Sequence, residues 1–191
     1  MAFKSSLHPS FMFLILYFIV TQQLHMYSLL LLSLAVHEIG HVSVAKILHV
    51  RIRRLVLLPY GGQLLVMPTS AKNMLCISLA GPIATLFLLL LSWHFDWQTL
   101  IMFQLIILLF NCLPIWPLDG GQIVYYSLKM SFNMRYAVFM GYSFTTAVLL
   151  FAFALYVAAP IFFIASLGVL VFESFRHYKS RKYVQAMEPH F

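Results

Sequence analysis

A chain of 191 residues that is 62% hydrophobic, 16% aromatic and only 9% charged is more apolar than a water-soluble domain, whose apolar share is nearer one half. With a mean hydropathy of +0.91 it reads as a membrane protein. Its net charge of +7 then reflects topology and anionic headgroups, and calls for no nucleic acid.

In chain order, five stretches approach the roughly 20 apolar residues that cross a hydrocarbon core: Ser10 to Leu24, Tyr27 to Leu48, Met74 to Trp93, Arg135 to Ala159 and Ile161 to Phe175. A sixth, Gln98 to Leu113, ends in prolines and restarts as a short helix towards residue 130. The first stretch has a single basic flank, Lys4, and no small-residue cleavage site, so it reads as a retained helix and not a signal peptide. With the N-terminus inside, Lys4, the Arg51/Arg53/Arg54 cluster, Lys72, Lys129, Arg135 and the Arg176 to Lys182 group all fall on the cytoplasmic side. The expected fold class is an all-α polytopic membrane protein of about six transmembrane helices, with a short re-entrant β-hairpin and a broken fourth helix. One transmembrane domain over 1–180 and a short cytoplasmic tail, 181–191, complete the expectation. Cys76 and Cys112 lie in apolar segments and read as small buried hydrophobes.

The second span carries His37, Glu38 and His41 directly after LLLLSLAV. A charged side chain at membrane depth costs about 2.5–3.5 kcal/mol on insertion scales and marks a functional site by default. At about 100° per residue the two histidines lie roughly 40° apart on one helix face, with Glu38 roughly 60° beyond His41. Imidazoles at i and i+4 can hold one zinc ion, and the intervening carboxylate can reach a water beside it. Gly40 costs helix propensity but lets another backbone come close. His49 is about 12 Å further along the axis, too far to join.

A catalytic zinc needs a third protein ligand, and the candidate is Asp119 in NCLPIWPLDGGQIVYY. Pro114 and Pro117 break the fourth span there. By itself such an aspartate would be a helix N-cap, yet a carboxylate at membrane depth needs a cationic partner, and irregular backbone there needs a protein-lined or water-filled cavity. A metal meets the first need. Asn111, about a turn before the prolines, could exchange hydrogen bonds at the same cavity or simply bridge helices. RLVLLPYGGQLLVM, Arg54 to Met67, has apolar, strand-like runs on both sides of Tyr60, Gly61 and Gly62. It reads as a hairpin whose edge could add a substrate strand, the alternative being an interfacial loop.

HEIGH in one span and NCLPIWPLDGG in a later one resemble the two signatures of the site-2 protease family of intramembrane zinc metalloproteases. LPYGG at Leu58 to Gly62, LAGP at Leu79 to Pro82 and LPIWPLDGGQ resemble in particular its sporulation branch. The resemblance spans about residues 8 to 180. It implies that His37, His41 and Asp119 are ligands of one Zn2+ per chain, that Glu38 is the general base, and that Asn111 helps engage substrate. It also implies regulated intramembrane proteolysis of a transmembrane or membrane-associated protein, such as a sigma-factor precursor during sporulation. The setting would be a bacterial cell membrane, with both termini cytoplasmic. A regulatory membrane partner or a homo-oligomer fits this picture, and nucleic acid does not. The chain is expected to lack the nucleotide-sensing CBS domain of the sporulation branch, and any PDZ domain. The competing reading is a membrane metal-ion transporter that uses the same His/Glu/Asp cluster.

Overall fold

The computed structural model describes residues 4–7, 19–58, 61–132, 135–157 and 161–187. Among them the chain is mostly helical: α1 (Leu24–Ile47), α2 (Ala71–His94), α3 (Gln98–Asn111), α4 (Asp119–Phe132), α5 (Tyr136–Tyr156) and α6 (Ile161–Met187). Three short strands, β1 (Lys4–Leu7), β2 (Ile52–Leu58) and β3 (Gly61–Val66), form one small sheet. The chain divides into two compact units, Met1–Cys112 and Leu113–Phe191.

By length and composition α1, α2 and α5 can cross a membrane. The 24 residues of α1 and of α2 rise about 36 Å, against a hydrocarbon core of about 30 Å. The apolar α3 has only 14 residues, because the chain turns irregular where Pro114 and Pro117 remove backbone donors. The predicted first span, Ser10 to Leu24, falls mostly outside the described residues. The predicted last span, Ile161 to Phe175, lies within α6, which continues to Met187. The apolar run stops near Phe175, but RHYKSRKYVQAM contains no proline or glycine to end a helix.

In the first unit α1, α2 and α3 pack on one another, and β3 packs on α1. Polarity runs opposite to that of a soluble protein: Phe87, Leu90 and Leu109 are exposed, while Ser33, Thr85, Ser92 and Gln104 are fully buried. A surface that faces lipid has no reason to be polar, and buried hydroxyls and amides can tie helices together. Gln104 of α3 donates its Nε2 to the hydroxyl of Ser33 on α1 at 2.8 Å, and that hydroxyl back-bonds Leu29 O. The helix α2 is capped by Ser70, whose side chain accepts from the Asn73 N–H. A methyl group at Gly40 would come within 2.5 Å of the Ala80 carbonyl oxygen, so α1 and α2 cross at backbone contact, as expected of that glycine. Neither cysteine is buried; Cys76 and Cys112 stand at exposed positions and share no disulfide, and an apolar side chain there can meet lipid as readily as core.

The sheet has the order β1-β2-β3, with β1 parallel and β3 antiparallel to β2. The hairpin begins two residues earlier than the sequence suggests, because Ile52 pairs with Val66 across an irregularity next to Arg54. Gly61 and Gly62 are not the turn. They belong to β3, opposite Leu58 and Leu57. Tyr60 lies outside the described residues. The strand β1 is an addition that the sequence did not announce, and it covers one edge of β2.

In the second unit α5 packs on α6. Tyr125 of α4 joins Tyr136, Phe139 and Met140 of α5 in a buried cluster against which Trp116 and Tyr178 pack.

Candidate metal centre

His37, Glu38 and His41 sit together on α1, and all three are buried. Their immediate neighbour is α2, and its contacts decide which nitrogen of each ring carries the proton. His41 Nδ1 lies 2.7 Å from the carbonyl oxygen of Ile77. A carbonyl can only accept, so His41 Nδ1 carries a proton, which in the neutral ring leaves the lone pair on Nε2. His37 Nδ1 lies 2.8 Å from Thr85 Oγ1, and that hydroxyl donates to the Gly81 carbonyl oxygen at 3.1 Å. Its proton thus committed, Thr85 accepts from His37 Nδ1–H, and His37 too presents an Nε2 lone pair.

The two Nε2 atoms are 3.2 Å apart, with the rings edge to face at 79°. With both rings neutral in this tautomer no proton would lie on either Nε2, and the two lone pairs would repel. A cation between them reverses the sign. Two nitrogens at 2.0–2.1 Å from one tetrahedral zinc would be about 3.3–3.4 Å apart. The observed spacing therefore suits one metal ion, and the Nδ1 partners hold the rings as outer-shell groups hold metal-ligating histidines.

The rings can come this close to α2 because position 81 has no side chain. A Cβ at Gly81 would overlap His41 Nε2 and stand 2.7 Å from His37 Nε2. Pro82 follows and offers no N–H to the carbonyl one turn back. Sequence reasoning quoted Gly81 as part of a motif but gave it no task, and it missed Thr85 and the Ile77 carbonyl. A Gly-Pro pair inside an apolar span with a threonine on the next turn was the available signal. Replacing Thr85 with valine, which keeps the shape and removes the acceptor, is expected to weaken metal binding by about 10–100-fold. Serine should restore most of it. A chelator-competition titration on purified protein measures both.

Asp119 opens α4 in the second unit and is buried. A carboxylate there sits at the positive end of the helix dipole. Asn111 ends α3 and is buried, but its Nδ2 donates to Ile107 O at 3.0 Å, back onto its own helix. His49 lies exposed beyond the end of α1, apart from His37 and His41 as its spacing requires.

No protein-family model matches the chain. Stage IV sporulation protein FB of Bacillus subtilis is 29% identical over 196 residues, which cover 92% of this chain and 68% of that protein. Zinc metalloprotease MJ0392 of Methanocaldococcus jannaschii is 34% identical over 111 residues, 52% of this chain. The match spans only 33% of that metalloprotease's length. Among solved structures, the site-2 protease from Methanocaldococcus jannaschii shares the fold, with a TM-score of 0.68 at 22% identity, covering 96% of this chain and 91% of that one.

Proposed function

We propose that this chain is a member of the site-2 protease family and an intramembrane zinc metalloendopeptidase acting on a transmembrane or membrane-associated protein, a reading its similarity to two named relatives supports. The observation that carries this reading is the pair of Nε2 atoms, 3.2 Å apart, whose rings α2 holds through their Nδ1 atoms. His37, His41 and Asp119, all buried, would offer two imidazoles and one carboxylate, a composition that suits an open catalytic zinc site. When bound, zinc supplies Lewis acidity that activates water and polarises a carbonyl near neutral pH. Glu38 would take a proton from the attacking water and deliver it to the leaving amine nitrogen. The transporter reading draws no support from relatives that carry protease names.

A helical substrate must unwind before its scissile carbonyl is reachable. The sheet could receive the unwound segment: β1 occupies one edge of β2, and the order β1-β2-β3 leaves the outer edge of β3 for an added strand. Tyr60, Gly61 and Gly62 would then contact substrate, with Asn111 as a further polar contact. Residues 1–180 would serve as one protease domain of six spans with both termini cytoplasmic, and reporter fusions after Lys4 and Lys182 check that orientation. The sporulation name of the Bacillus relative favours a sporulation setting, in which the substrate would be the membrane-associated sigma-factor precursor that the sequence resemblance implies.

The test is a cleavage assay in sealed vesicles with candidate membrane-tethered precursors from the same genome, set beside zinc flux in the same preparation. Cleavage that requires Glu38 is expected, together with no Glu38-dependent flux. Flux without cleavage would overturn the reading. In the same assay a proline in β3, which deletes a backbone donor, should slow cleavage several-fold and leave zinc bound. A wild-type rate from every β3 proline variant would make the hairpin a mere interfacial element.

A further inference from the structure

The segment between α3 and α4 is irregular backbone in a chain built for lipid, and such backbone survives only where protein or water satisfies it. From Pro114 to Leu118 its donors can be accounted for one by one. Pro114 and Pro117 have none. Ile115 N–H donates to Leu113 O at 2.7 Å and Leu118 N–H to Ile115 O at 2.9 Å, both within the segment. The remaining donor, the Trp116 N–H, goes 2.7 Å to the hydroxyl of Ser143, 27 residues away on α5.

Ser143 is fully buried, and so is Ser174 of α6, whose hydroxyl stands 3.5 Å from that of Ser143. The Trp116 ring is lodged between Tyr125, Tyr136 and His177. Gln122 of α4 reaches back to the Pro117 carbonyl at 3.0 Å. Trp116 is thus fixed by backbone and by ring, and Asp119 follows three residues later at the start of α4. None of the polar groups in this tether is needed for the chemistry assigned to Glu38 and the metal ligands.

We infer that Ser143 is a positioning residue for Asp119: its hydroxyl, steadied by Ser174, holds the Trp116 backbone and so sets where the carboxylate of Asp119 stands. The inference rests on the reading of Asp119 as a zinc ligand. Without the hydroxyl, the Trp116 N–H loses its acceptor in an apolar setting, the segment shifts to find another, and Asp119 moves with it. Outer-shell partners of metal ligands typically carry about 10–100-fold in affinity.

The experiment measures the zinc dissociation constant of the full chain in nanodiscs by competition with a chelator. Ser143→Ala is expected to weaken zinc at least about tenfold, and Ser143→Thr, which keeps the oxygen, to stay within about threefold of wild type. Ser92→Ala is the control, since that buried hydroxyl only back-bonds Leu88 O of its own helix, and it should bind zinc as wild type does. Wild-type affinity in Ser143→Ala overturns the inference, as does an equal loss in Ser92→Ala. A wild-type chain that takes up no zinc overturns the ligand reading of Asp119 first, and the inference with it. Should Ser143→Ala fail to fold, Ser174→Ala decides: a loss of zinc affinity smaller than tenfold but measurable supports the tether, and wild-type affinity removes it.

Discussion

A single methyl group at position 81 is expected to empty the metal centre. Gly81→Ala would place Cβ against His41 Nε2, 2.5 Å from His41 Cε1 and 2.7 Å from His37 Nε2. Neither ring can retreat and keep its partner, because Nδ1 of each is held on α2, by the Ile77 carbonyl and by Thr85. The rings must turn, and the two lone pairs then no longer converge. Both histidine contacts are disturbed at once, so zinc affinity should fall by more than about 100-fold, beyond the usual loss for one outer-shell partner, and cleavage with it. Alanine is otherwise the better helix former by about 1 kcal/mol. Gly168→Ala shows this by contrast: its Cβ would meet only Phe151, at 3.5 Å, and zinc content there should equal wild type. Zinc per chain in the purified variants, with thermal unfolding to confirm that both fold, gives the answer. Wild-type zinc in Gly81→Ala would mean that the rings are not held as the hydrogen bonds indicate.

What the sequence revealed followed from local rules. The fragment HEIGH needed only the helical repeat to place His37, Glu38 and His41 in one sector, and two prolines after Asn111 sufficed to end α3. The apolar run stops near Phe175 while the helix runs on to Met187, because apolar length gauges membrane thickness, whereas helix continuation depends on backbone propensity, which RHYKSRKYVQAM satisfies. The strand β1 escaped notice because KSSL has no apolar alternation and acquires its pairing from Arg54 to Leu57, fifty residues on. Gly61 and Gly62 looked like turn residues, yet they continue the β3 ladder opposite Leu58 and Leu57. The polar partners of the histidines were out of reach for a similar reason. Thr85 and Ile77 lie 48 and 36 residues from their histidines. The contact exists because Gly40 lets α1 approach the Ala80 carbonyl, and a helix crossing leaves no periodic trace in one sequence. The side-chain NH2 of Asn111 donates to Ile107 O of its own helix, a contact that polarity in the sequence does not distinguish from one across a cavity.

Glu38→Gln is expected to keep zinc and lose cleavage, and Asp119→Asn to lose zinc first. The two substitutions are chemically alike, each turning a buried carboxylate into an amide of nearly the same size, so packing changes little in either. Their consequences should differ because the tasks proposed for the two carboxylates differ. Glutamine at position 38 still fills the space and still exchanges hydrogen bonds, but it cannot accept a proton from water at neutral pH. General acid–base catalysis contributes about 10²–10⁴-fold, and a loss of that order in kcat is the expected readout, with zinc content unchanged. Asparagine at position 119 would remove the negative charge from the proposed donor set, whose other members, His37 and His41, are imidazoles. Bound Zn2+ would then keep its full charge in a low-dielectric setting, where an uncompensated ion is costly, so the dissociation constant should rise well before cleavage is measured at saturating zinc. Full metal content in Asp119→Asn together with loss of metal in Glu38→Gln would exchange the two assignments. Substantial cleavage by zinc-loaded Glu38→Gln would remove Glu38 from the proton transfer and leave water activation to some other group in the site.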